Sequence, residues 1–129
     1  MSMNIMSTIH ETNIFGLRLQ LSTKTNRELL SRFKLDFKAM STYAPENKDD
    51  KLHILEYSKS FIDEFKGRVQ NGSNNSILEF AIMIQSMMKV DPIGGESYYT
   101  RNLIRLYSYC IKLMELKGIP YKELKAKFL

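Results

Sequence analysis

An almost uninterrupted run of apolar residues, Ile77 to Val90, places the strongest constraint on how this chain folds. The polar residues within it are Glu79, Gln85, Ser86 and Lys89. At about 100° per residue these four share roughly one third of a helical wheel, and the remaining two thirds are apolar. A helix this apolar is predicted to lie at the centre of a fold, with other helices packed around it.

A helix-start signal favours a helix over a buried strand for this stretch. Ser76, followed three residues later by Glu79, matches a capping box, so the helix is predicted to span about 76–90. The stretch is also too short to cross a bilayer, which takes about 20 residues, and no membrane partner is expected.

Apolar residues at helical spacing predict further helices on both sides of this one. The second helix is predicted to run from a capping box at Thr25 and Glu28 to about Tyr43. The third spans about 50–70, and the fifth spans about 97–117. Their predicted buried residues are Leu29, Leu30, Phe33, Phe37 and Met40, then Leu52, Leu55, Phe61, Ile62, Phe65 and Val69, then Tyr99, Leu103, Leu106, Cys110 and Leu113.

The two ends of the chain are less clearly patterned. Residues 1–21 permit a helix, with fraying before Ser7, or a short strand in which Leu17, Leu19 and Leu21 alternate with polar residues; the helix is favoured. Pro120 is predicted to open a short last helix with Tyr121, Leu124 and Phe128 on one side. The expected fold class is therefore all-α, a single domain over 1–129 that forms a compact bundle of five to six helices.

Charge and cysteine content narrow the functional classes. The chain has 19 Lys and Arg against 14 Asp and Glu, a formal net charge of +5, which favours polyanionic partners. It has one cysteine, so no disulfide within the chain is expected. The amino end lacks the basic region and long apolar run of a signal peptide, and a cytoplasmic location is expected.

No motif predicts catalysis or a cofactor. The nucleophile motif GxSxG and the phosphate loop GxxxxGK[ST] are both absent from the sequence. His53 shares a helical face with Asp49 and Glu56, but the sequence favours a solvated histidine on an acidic face over a metal ligand. We therefore expect a protein that is not an enzyme, with no catalytic residues, no cofactor and no metal site.

Rows of basic residues are the strongest functional signal. On the second helix Lys24, Arg27, Lys34 and Lys38, with Ser31, fall on one narrow side. On the fifth helix Arg101, Arg105 and Lys112, with Ser108, do the same. Rows of bases and hydroxyls can follow a phosphate backbone without reading its sequence. The alternative is that they are ordinary charged faces turned to water.

Short motifs resemble the small, all-helical subunits of type I and type III CRISPR effector complexes. They are LSTKTNRELL with Arg27, FKGR with Gly67 and Arg68, and the aromatic-rich TRNLIRLYSYCIKLMELKG. The resemblance covers about residues 20–118. It implies a non-catalytic subunit that stacks along a guide-RNA filament and holds nucleic acid through basic helices, with Arg27, Arg68, Arg101 and Arg105 carried over.

The sequence therefore predicts a sequence-independent nucleic-acid-binding subunit of a larger ribonucleoprotein. Its expected partners are guide RNA or a target strand and the other subunits of the complex, with self-stacking possible for such a subunit. The residues predicted to bind are Lys24, Arg27, Lys34, Lys38, Arg68, Arg101, Arg105 and Lys112. The alternative function is a helical protein–protein adaptor or regulator, for example of a polymerase or toxin, that uses exposed apolar residues such as Leu35 and Tyr43.

Overall fold

A computed structural model describes residues 5–90 and 97–122 of the chain. Within these residues the fold is all-α, without a strand, as the sequence predicts. The helices are α1 (Ile5–Glu11), α2 (Ile14–Ser22), α3 (Asn26–Ser41), α4 (Lys48–Asn71), α5 (Asn74–Val90) and α6 (Tyr98–Lys117). None of these helices is long and apolar enough to span a bilayer.

The described chain divides into two compact units. The first contains residues 5–64 and 97–99, and the second contains residues 65–90 and 100–122. The single domain expected over 1–129 stays a prediction.

The amino-terminal segment is helical, and the strand interpretation is wrong. It forms two helices, because Asn13 caps α2 by accepting a hydrogen bond from the Gly16 amide at 3.1 Å. Leu17 and Leu21, one turn apart, are buried, whereas Leu19 is exposed, which is the pattern of a helix. Because α1 already begins at Ile5, the fraying expected before Ser7 is not seen in the described residues.

Helix α3 begins where the sequence predicts. The Glu28 amide donates to the Thr25 hydroxyl at 3.1 Å, and the Thr25 amide donates to the Glu28 carboxylate at 3.0 Å, which completes the capping box. The five apolar residues predicted on its inner face are all buried, with Phe33 and Phe37 in ring contact at 4.1 Å. The helix ends at Ser41, two residues before the predicted Tyr43.

Helix α4 begins at Lys48 because Asn47 accepts a hydrogen bond from the Asp50 amide at 2.8 Å. Its buried stripe includes Ile54, Tyr57, Phe61, Phe65 and Val69. Leu52 and Leu55 were predicted to belong to this stripe, and that prediction is wrong because both are exposed. Around the helix axis Leu52 lies about 160° from the buried Ile54, and Leu55 lies about 100° from it. Because the side of α4 that carries Ile54, Phe61 and Phe65 is buried, both leucines face outward.

Helix α5 departs from the sequence analysis at its start and on its surface. It begins at Asn74, two residues before the predicted start at 76, since Ser73 accepts from the Ser76 amide at 3.2 Å. Ile77, Phe80, Ala81 and Ile84 are fully buried, but Ile82 is 45% exposed. The helix is therefore not wrapped on every side. Gln85, on the side expected to be polar, is buried as well.

Helix α6 buries Tyr99, Leu103, Leu106, Cys110 and Met114. Leu113, predicted to be buried, is only half-buried because Met114 takes the inward position. Gly118 follows the helix with a φ of 69°, the left-handed conformation that commonly ends a helix. Of the predicted last helix, Tyr121 lies within the described residues and bonds to Glu115. Leu124 and Phe128 lie outside the described residues.

Candidate functional site

The basic row of α3 lies in the first unit, and its members differ in exposure. Arg27 and Lys38 are exposed, whereas Lys24 and Lys34 are half-buried. The Lys38 ammonium lies 5.4 Å from the centroid of the Tyr99 ring, within cation–π range. Within α3 the row runs from Arg27 to Lys38 and presents positive charge over a rise of about 16 Å, whereas Lys24, predicted on this helix, precedes it.

The basic row of α6 lies in the second unit and is uniformly exposed. Arg101, Arg105, Ser108 and Lys112 all reach solvent. Arg105 and Lys112 form no side-chain hydrogen bond or ion pair with the described residues. Both side chains are therefore available to an anion without breaking a contact within residues 5–90 and 97–122. Arg68, also in this unit, is half-buried in the last turn of α4.

The second arginine of α3, Arg32, has a structural role that sequence analysis missed. Arg32 Nε donates to Oδ2 of Asp36 at 2.8 Å, and the Tyr57 hydroxyl donates to the same oxygen at 2.6 Å. Arg32 Nη2 also approaches the Tyr57 hydroxyl oxygen at 3.4 Å. Burial, followed by the bond to Asp36, raises the pKa of Tyr57 to about 12. The i, i+4 spacing of Arg32 and Asp36 was the only signal in the sequence.

The histidines of the chain, two in number, meet in the first unit. The ring of His10 on α1 lies 4.3 Å from the ring of His53 on α4, centroid to centroid, with the planes tilted by 49°. His10 Nε2 is 2.8 Å from Oδ1 of Asp50, and His53 Nδ1 is 2.8 Å from the backbone carbonyl oxygen of Asp49. The sequence placed His53 among carboxylates but gave no indication that His10 would join it.

Hydrogen bonds set the charge states around the two imidazoles. The bond to the Asp49 carbonyl is the largest cause of a raised pKa at His53. The bond from His10 is the largest cause of a lowered pKa at Asp50, and the Tyr43 hydroxyl also donates to Asp50, at 3.1 Å. Asp50 is therefore an anion whose two oxygens are already engaged.

The lone cysteine, Cys110, is not placed for chemistry. Its thiol is fully buried in α6, and burial raises its pKa to about 12. A thiol is reactive as the thiolate, which this environment disfavours. Cys110 is a small core residue.

Exposed large apolar side chains occur on several helices, two of them on α2. Phe15 is 73% exposed and Leu19, one turn later, is 57% exposed. Leu35, on the basic side of α3, is exposed as well, whereas Tyr43 is half-buried and bonded to Asp50. Of the two residues expected to serve an adaptor, Leu35 alone is fully available at the surface.

Comparisons of the chain with protein-family models, with curated proteins and with solved structures found no match.

Proposed function

We propose that the protein is a non-catalytic, sequence-independent nucleic-acid-binding subunit of a larger ribonucleoprotein. The observation that carries the proposal is the exposed row of α6. Arg101, Arg105 and Lys112 share one side of a regular helix, with the hydroxyl of Ser108 between them. All of these side chains can donate hydrogen bonds to phosphate oxygens.

The spacing of the basic residues along α6 suits the phosphate backbone of a nucleic acid better than a single anion. Eleven residues separate the first and last bases, which is about 16 Å along the helix. A pocket for one phosphate would gather its donors at a point, whereas these donors are distributed along a line. Contacts of this kind neutralise successive phosphates and do not reach base edges, so the binding is independent of sequence.

The resemblance to small subunits of CRISPR effector complexes supports the ribonucleoprotein context. Its motifs carry Arg27, an exposed member of the α3 row, and Arg101 and Arg105 of the α6 row. On this proposal the partner is guide RNA or a target strand, held beside other subunits of the complex. Lys24, Lys34, Lys38, Arg68 and Lys112 complete the proposed phosphate-binding set.

An adaptor that binds another protein is the second candidate, and one observation favours it. Phe15 and Leu19 present large apolar surfaces one turn apart on α2. Aromatic and aliphatic anchors of this kind are common in protein interfaces. The two candidates use different helices, so variants separate them.

We expect the double substitution Arg105→Ala with Lys112→Ala to flatten the salt dependence of binding to single-stranded RNA. Each lost phosphate contact lowers the slope of log K against log salt by about 0.7–1, so the pair should lower it by about 1.4–2. The measurement is fluorescence anisotropy of the full chain with a labelled strand at several salt concentrations. Thermal melting should be nearly unchanged because exposed charges contribute little to stability.

The matched control removes two bases from α4, Lys51→Ala with Lys59→Ala, both of which are exposed. Lys66 is unsuitable because its ammonium lies 5.2 Å from the centroid of the Tyr109 ring. The control pair should leave the slope within about half a unit of the parent, since no row of phosphate contacts is lost. Equal flattening by both pairs would show that only net charge matters, and would overturn the proposal.

A further inference from the structure

The pair of histidines in the first unit has the composition of a metal-binding site. His10 and His53 come from different helices, and Asp49 precedes His53 by one turn of α4. Each of the three offers a ligand atom, and these atoms lie within 4.8 Å of one another. In a tetrahedral zinc site with ligands at about 2.0–2.1 Å, neighbouring ligand atoms are about 3.3 Å apart. The side chains must therefore rotate to bring the three atoms into range, and Oδ1 of Asp49 now lies 3.6 Å from Nδ1 of His53.

The hydrogen bonds already present engage one nitrogen of each ring and leave the other nitrogen for a metal. A histidine that binds a metal through one nitrogen usually donates its other N–H to a carboxylate or a backbone carbonyl. His10 Nε2 is bonded to the Asp50 carboxylate, and His53 Nδ1 is bonded to the Asp49 carbonyl oxygen. In the neutral tautomers that donate these bonds, Nδ1 of His10 and Nε2 of His53 keep their lone pairs.

The supporting carboxylate is itself held in place. Oδ2 of Asp50 accepts from the Tyr43 hydroxyl at 3.1 Å, while its Oδ1 contacts His10. The Asp50 amide is fixed by the Asn47 side chain. Asp50 is thus placed to support His10, which leaves Asp49 as the carboxylate available for direct coordination.

Charge and access also fit a cation. Asp49 and Asp50 both carry negative charge in the first turn of α4, and they offset the positive end of its dipole. The side chains of His10 and His53 are about one third exposed, so an ion can arrive directly from solvent. Water can occupy any remaining coordination position.

We propose that His10, His53 and Asp49 bind one divalent transition-metal ion of the zinc class, and that the ion links α1 to α4. Two imidazoles and one carboxylate suit zinc and its first-row neighbours, whereas magnesium and calcium take oxygen ligands. This proposal departs from the sequence-based expectation of no metal site, because nothing in the sequence indicates that the two histidines meet. It uses none of the residues proposed to bind phosphates.

Titration calorimetry of the full chain with zinc chloride tests the proposal. We expect saturable binding of one Zn²⁺ per chain. His10→Ala and His53→Ala should each weaken the affinity at least tenfold, and an equal concentration of Mg²⁺ should not compete. Zinc should also raise the Tm of the parent, and this rise should be lost in both variants.

A carboxylate pair gives a matched comparison that does not disturb the histidines. Asp49→Asn removes the proposed ligand from an exposed position, whereas Glu79→Gln removes an exposed carboxylate from α5 in the second unit. The first should weaken zinc binding about tenfold and the second should leave it unchanged, with circular dichroism confirming the helical fold of each. Absence of saturable binding, or equal affinity in the parent and both histidine variants, would overturn the proposal.

Discussion

Replacing Ile84 by aspartate is expected to abolish the folded state at room temperature. The Ile84 side chain is fully buried on α5, so the substitution removes about 1.5–3 kcal/mol of hydrophobic burial and leaves a carboxylate without a partner. A combined cost of more than about 4–5 kcal/mol is comparable to the whole stability of a small domain, about 5–15 kcal/mol. Chemical denaturation followed by circular dichroism at 222 nm measures the effect.

Ile82→Asp provides the matched control, with the same chemical change two residues away. Ile82 is 45% exposed, so a carboxylate there reaches water and loses less apolar burial. A helix wrapped on every side would bury Ile82, yet at about 100° per residue Ile82 falls on the same side of the wheel as Glu79, Ser86 and Lys89, away from Ile84. We expect a loss of about 1 kcal/mol or less, typical of a surface substitution. Similar denaturation midpoints for the two variants would contradict the burial pattern of α5.

Asp36→Ala is expected to destabilise the first unit by about 2–3 kcal/mol. Asp36 is only 6% exposed and receives hydrogen bonds from both Arg32 and Tyr57. Its removal leaves a buried tyrosine hydroxyl and a partly buried guanidinium without their acceptor, and each unsatisfied group costs about 1–3 kcal/mol. Urea denaturation of parent and variant gives the difference directly.

The exposed ion pair of Arg18 with Asp63 serves as the comparison for this prediction. Its 3.0 Å distance resembles that of the buried pair, but both side chains are about 40% exposed. Asp63→Ala should therefore cost less than about 1 kcal/mol. If the two alanine substitutions were equally costly, burial of Asp36 would not be the cause.

The elements of this fold follow from local signals in the sequence, whereas the orientation of several faces does not. Thr25 and Glu28 mark the start of α3 because a capping box is formed by neighbours three residues apart. Leu52 and Leu55 were assigned to the wrong face because apolar residues lie on more than one side of α4. The burial of Phe61 and Phe65 identifies the side of α4 that faces the core.

The candidate sites also differ in whether local sequence signals indicate them. The exposed row of α6 depends on helical spacing alone, so it could be identified from residue numbers. The meeting of His10 with His53 depends on two helices that are 43 residues apart at this point, and nothing local indicates it. The interaction of Tyr57 with Asp36 is likewise a contact between helices, visible only once α3 and α4 are placed.

The burial of Cys110 gives the protein an internal reporter of its own opening. Because the chain has a single thiol and it is fully enclosed, a thiol-specific reagent can label only those molecules in which α6 has transiently separated from its neighbours. When reclosing is fast relative to labelling, the rate is proportional to the population of that open form. Labelling therefore measures the local free energy of opening around α6 under native conditions, without denaturant and without any engineered probe.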